Sequence, residues 1–199
     1  MAYQVTEQTA KYREAGLKEA QAYLKYITHP QLVEFLWKAW LAAPAYFWEI
    51  PASSTGKYHP AWAVEPAGLL RHTICAMYIG RELAGTFGLP EIERDIAVTA
   101  LGIHDTLKYG VDYDLRYHDM HPYLPRSYYK KPHDLHCIIG GDLYEAVMDA
   151  VEVHMGDMAS GKWASVGKLK PSNRVETVVH IADYIASRKK IMFSDFMEE

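Results

Sequence analysis

The stretch Ala97-Val98-Thr99-Ala100-Leu101-Gly102-Ile103-His104-Asp105-Thr106-Leu107-Lys108-Tyr109-Gly110 decides how this chain reads. Its first half continues an apolar pattern that begins near Glu91, so a buried helix is expected over about 91–103. That helix runs straight into adjacent His104 and Asp105. Neighbouring side chains on a helix diverge by about 100°. At a helix end, where the backbone opens, they can still turn toward one ion. Alone, the pair is equally an ordinary polar helix terminus, so its meaning depends on the rest of the chain.

Working outward, helical spacing recurs almost everywhere. Tyr12, Leu17, Ala20, Tyr23, Leu24 and Ile27 mark an amphipathic helix over about 7–28. Pro30 opens a second, over about 30–43, with Leu32, Phe35, Leu36 and Trp40 on one face. Proline, serine and glycine punctuate a loop over 50–66. Leu69, Leu70, Ile74, Met77, Tyr78 and Leu83 then specify a helix over 68–84. Residues 108–132 lack periodicity and hold Tyr109, Tyr113, Tyr117, Tyr123, Tyr128 and Tyr129, together with His118, His121, Pro122, Pro125 and Pro132. A connection that long is unusual in a compact domain and is often functional. Helices are expected again at about 133–143 and 143–155, then a loop over 156–171, then a helix over about 173–190. No stretch alternates as a half-buried strand would, so the fold class is all-α. Residues 1–50 read as N-terminal helices packed on a core formed by 51–199, a single domain overall.

The chain has 199 residues and a formal net charge of −4, so a general nucleic-acid binder with a basic face is disfavoured. Cys75 and Cys137 lie in apolar surroundings and read as reduced core thiols. No run approaches the roughly 18 apolar residues of a membrane span, and the first residues lack the apolar core of a secretion signal. A cytoplasmic protein is expected. Nine of the 10 histidines fall between His59 and His180, and neutral imidazole is the commonest nitrogen ligand for metals.

Several residues convert the terminal pair into a site. His72, in Gly68-Leu69-Leu70-Arg71-His72-Thr73, sits on an otherwise apolar helix; a core histidine is its plain alternative. Asp183 lies mid-helix in Val178-Val179-His180-Ile181-Ala182-Asp183-Tyr184, where a carboxylate needs a cation or metal. His136 and His154 add further imidazoles, with His133 competing for the place of His136 on the same helix face.

The ordered set His72, His104-Asp105, His136, His154 and Asp183, in these local contexts, resembles the HD-domain superfamily of metal-dependent phosphohydrolases. The similarity spans about residues 68–190. It implies an HD-domain helical bundle, here with additional N-terminal helices and a long tyrosine-rich loop. It implies a divalent ion held by His72, His104, Asp105 and Asp183, and in members with two ions a second held with His136 and His154. His136 fits because Gly140 follows four residues later, as in such members. The chain departs from the pattern at His154-Met155, where two-ion members often have consecutive histidines. His180, one turn before Asp183, reads as a residue that holds a ligand by hydrogen bond.

The resemblance also implies chemistry. A His-rich, carboxylate-poor donor set favours Mn, Fe, Co, Ni or Zn, with Mg also admitted. Bound ions would activate a water as hydroxide for attack on phosphorus, with Asp105 as the bridge, since a carboxylate has two oxygens to share. Asp105 and Lys108 are the catalytic candidates; Lys108, three residues on, would meet charge developing on the phosphoryl group. Lys57, His59 and Arg71, with Lys108, are the substrate-binding candidates. The tyrosines of 108–132 read as a self-packed excursion or as a lid, and Lys162 and Trp163 as possible additions to it. The expected substrate is a small phosphorylated molecule, a nucleotide first, with ester, anhydride and diester cleavage all open. A phosphodiesterase or exonuclease acting on a cyclic nucleotide or nucleic acid is the near alternative. A non-catalytic metal- or nucleotide-binding module is a second. A helical interaction protein is a third, in which Trp37, Trp40, Phe47 and Trp48 form a homo-oligomer face instead of core.

Overall fold

The computed structural model describes residues 3–53, 55–113, 120–155 and 170–189, and every regular element among them is helical. Helix α1 (Glu7–Gln21) starts at Thr6, whose hydroxyl accepts from Thr9 N–H while the Thr9 hydroxyl accepts from Thr6 N–H. This reciprocal cap satisfies two donors that a helix start leaves open. The helix stops before the expected residue 28 because the chain tightens into a 3₁₀ turn at Leu24–Tyr26. Helix α2 (Pro30–Ala42) has its proline in the first turn, as the sequence implies. Its start is tied down by Asp95, whose Oδ2 accepts from Thr28 N–H, the Thr28 hydroxyl and His29 N–H.

Helices α3 (Gly68–Thr86) and α4 (Glu91–Ile103) occupy the expected spans. The tyrosine-rich stretch does not stay irregular: it contains a 3₁₀ turn at His121–Tyr123 and helix α5 (Leu124–Lys130). Pro122 and Pro125 sit in the first turns, where a missing N–H costs no helical bond. Tyr129 anchors the segment, fully buried, with its hydroxyl donating to Thr106 Oγ1 at 2.8 Å and its ring edge-on to Phe35. Tyr109 and Tyr113 pack with Tyr46 instead. Helices α6 (His136–Ile139) and α7 (Gly141–Glu152) are separated at Gly140, whose φ of 76° lies in the left-handed region that glycine enters without strain. Helix α8 (Arg174–Ala186) is capped by Asn173, whose side-chain oxygen accepts from Glu176 N–H. Of the expected loop over 156–171, residues 156–169 lie outside the described residues, as do Lys162, Trp163, Tyr117 and His118.

Helix α3 packs against both α4 and α8, α4 against α7, and α2 lies over α4 and α6. One continuous core joins them and includes the N-terminal aromatics. Trp40, Phe47 and Trp48 are fully buried in it and Trp37 partly, which answers the core-or-surface alternative for these rings. Trp40 Nε1–H donates to Gly102 O at 2.8 Å, fastening α2 to the last turn of α4. Gly80 marks the junction of α3, α4 and α8: a Cβ there would come within 2.2 Å of Leu101 Cδ1 and 3.5 Å of Ala182 Cβ. Among the described residues no helix is long and apolar enough to cross a membrane.

Candidate metal centre

The three packed helices bring His72, His104 and Asp183 together. His72 Nε2 lies 3.0 Å from Asp183 Oδ1 and 3.3 Å from His104 Nε2, and His104 Nε2 lies 3.5 Å from Asp183 Oδ1. A second trio, Asp105, His121 and His154, adjoins it. His121 Nε2 is 3.1 Å from Asp105 Oδ1 and 3.1 Å from His154 Nε2. His154 Nε2 is 3.8 Å from Asp105 Oδ1. Asp105 joins the trios: its other oxygen, Oδ2, faces His72 Nε2 and His104 Nε2, each at 3.6 Å, and accepts from Lys108 Nζ at 2.6 Å.

Local backbone bonds fix which way the rings face. His104 follows α4 and its Nδ1–H donates to Leu101 O at 2.6 Å; His154 follows α7 and its Nδ1–H donates to Val151 O at 2.7 Å. In each neutral ring the Nε2 lone pair therefore points into the centre. His180 lies behind the second trio, where its Nδ1–H donates to His154 O at 2.8 Å.

The donor set fits a cation. Ligand atoms at about 2.1 Å from an ion lie about 3.0 Å apart at right angles and about 3.4 Å apart in a tetrahedron, close to the spacings within the first trio. Four imidazoles and two carboxylates, all buried but Asp183, carry a desolvation cost that Lys108 offsets only at Asp105 and that a bound cation would offset for the rest. The electrostatics agree. Burial alone would raise Asp105 and Asp183. Lys108, His104 and His121 reverse this for Asp105, as hydrogen bonds from His104 and His72 do for Asp183, and both carboxyls sit well below the usual range. Burial would lower His104, but Asp105 and Asp183 overcome it and hold the ring above its ordinary value. His154 is pushed down to about 3 by burial and then by His104 and His121. These buried His/Asp groups could hold a metal ion.

The remaining sequence-predicted residues divide. Lys108 is at the centre, held above its ordinary basicity because Asp105 outweighs the effect of burial. His59 packs its ring 5.6 Å from that of His72 and is pushed down to about 4 by burial, Lys108 and His72. Lys57 is exposed, beside the Tyr58 ring. Arg71 turns away, donating to Trp62 O at 3.2 Å and pairing with Glu65 at 3.7 Å. His136 joins neither trio: it sits half-buried at the start of α6 with its ring 5.9 Å from Tyr144. His133 also stays outside, against Tyr128. The place assigned to His136 is taken by His121. The glycine four residues after His136 serves as the helix break between α6 and α7, so its spacing reports backbone geometry and not a ligand. A signal for His121 existed in its flanking Pro122, which favours a helix-start geometry. Comparison of the chain with family models, curated proteins and solved structures gave no match.

Proposed function

We propose that this chain is a metal-dependent phosphohydrolase of the HD-domain type, cleaving a phosphate ester or anhydride of a small molecule, a nucleotide first among them. The observation that carries the reading is Asp105, one carboxylate whose two oxygens face two different histidine-bearing trios while a lysine rests against one of them. His72, His104 and Asp183 would hold one divalent ion and His121 and His154 a second, with Asp105 shared. The nitrogen-rich set favours Mn, Fe, Co, Ni or Zn over Mg. Ions so held lower the pKa of water and polarise a phosphoryl oxygen.

The chain's own groups supply the rest. Asp183 is the partly exposed member of the set, its side chain 17% accessible against 3% for Asp105, so the phosphoryl group approaches on its side. Lys108 places an ammonium beside Asp105, where negative charge accumulating on phosphorus-bound oxygens can be met without reorganisation. His59, neutral at physiological pH by its surroundings, lies at the rim as a hydrogen-bonding group toward substrate. The leaning toward small substrates follows from the net negative charge. Two free thiols fit a cytoplasmic location.

The test is a screen of the purified chain, stripped with chelator and reloaded with single metals, against nucleoside mono- and triphosphates, cyclic nucleotides and linear diesters. Metal-dependent release that disappears in Asp105→Ala supports the reading. A protein that takes up metal yet hydrolyses nothing in the panel sinks it in favour of a binding module.

A further inference from the structure

Beyond the last turn of α8, an arginine is placed in a way the centre itself does not use. Arg188 has its guanidinium carbon 4.2 Å from the centroid of the Tyr184 ring and 4.9 Å from that of Tyr58. Among the described residues its buried Nε has no hydrogen-bond partner and no carboxylate pairs with the guanidinium. Stacking occupies the faces of a guanidinium and leaves its in-plane N–H donors directed sideways. Lys57, in no ion pair among the described residues, brings a second cation to the same Tyr58 ring, 5.1 Å from its centroid. Two cations on one ring, one of them with a desolvated donor, create a demand for an anion.

The location ties this demand to the metal centre. Tyr184 follows Asp183 directly, and Tyr58 precedes His59, whose ring touches that of His72. Lys189 N–H donates to Tyr58 O at 2.8 Å, so the loop bearing Lys57, Tyr58 and His59 is fastened to the end of α8. The cationic pair is thus carried by the same two segments, the loop of His59 and the end of α8, that supply groups to the centre. We propose that Arg188 and Lys57 form an outer anion subsite. It takes a second phosphate group, beyond the one presented to the centre, and selects nucleoside di- and triphosphates over monophosphates. The proposal rests on the phosphohydrolase reading for its biological sense, but its binding test does not.

The full chain, freed of metal so that the probe cannot draw ions from the centre, is titrated by calorimetry with inorganic tripolyphosphate and with orthophosphate. Arg188→Met is expected to weaken tripolyphosphate about tenfold or more, the weight of a lost charged hydrogen bond, with orthophosphate little changed. Arg188→Lys recovers part of the loss. Lys57→Met, an exposed position where folding is not at stake, weakens tripolyphosphate by about threefold in the range of a screened surface charge. The subsite is overturned if the unsubstituted chain does not bind tripolyphosphate, if Arg188→Met binds it as tightly, or if that variant loses both anions equally. In the reloaded protein, the kcat/KM preference for triphosphate over monophosphate falls with the same substitution. Absence of all hydrolysis alongside intact tripolyphosphate binding would remove the phosphohydrolase reading and leave the subsite standing.

Discussion

His72, His104 and Asp183 ride on or at the end of the three long helices α3, α4 and α8, whereas Asp105, His121 and His154 come from positions just past helix ends and from a turn within the tyrosine-rich stretch. The first trio inherits its geometry from core packing, and the same packing that buries Leu70, Leu101 and Val179 sets its interatomic distances. The second depends on specific hydrogen bonds, such as that from His180 to the carbonyl of His154. Burial runs the other way: all of the second trio is buried, while Asp183 in the first reaches solvent. A site can therefore be well shielded and yet held by few elements, and the two trios separate those properties.

The largest effect expected is from Asp105→Ala, which removes an oxygen from both trios at once. Metal content by mass spectrometry should fall from two ions per chain to none at stoichiometric loading, with helical circular dichroism retained. Survival of two ions would end the idea that Asp105 joins the trios. His121→Ala should halve the metal content, while His136→Ala leaves it unchanged; the reverse result would restore the ligand assignment drawn from spacing. His180→Ala should weaken only the ion of the second trio, by roughly 10–100-fold, the usual effect of losing a ligand's supporting hydrogen bond. Equal weakening of both ions would show that the trios do not lean on separate supports.

Acid should distinguish the trios more gently. A proton competes with metal for an imidazole lone pair, so loading weakens as pH falls through the ring's pKa. His104 is held above its ordinary value, so this competition begins above about 6.5 in the first trio. His154 is pushed down to about 3 and resists protonation through the whole mild-acid range. Dialysis at stepwise lower pH should release the ion of the first trio first. Simultaneous loss would mean that the shared Asp105 couples them into one titrating unit.

Much of this architecture was readable from residue order because the helices that form the first trio are long and strongly periodic. A histidine at 72 or a carboxylate at 183, embedded among apolar positions, announces a partner by the cost of being there alone. His121 gave no such notice. It lies among tyrosines and prolines without periodicity, in a segment that Tyr129 docks on Phe35, a contact between residues far apart in sequence. His136 misled for the opposite reason, since a glycine that ends a helix produced a ligand-like interval. Residue order brings Arg188 near Tyr184 but gives no sign of Tyr58 or Lys57, which only the fold brings to it.

Gly80 carries a consequence for how such a centre can be altered. Its missing side chain admits Leu101, whose carbonyl orients His104, and Ala182, the neighbour of Asp183. One hydrogen atom thus governs the clearance between ligands borne by three different helices. Enlarging it would act as a wedge, spreading donors that are themselves unaltered, so metal preference could be retuned from a position that never touches the ion.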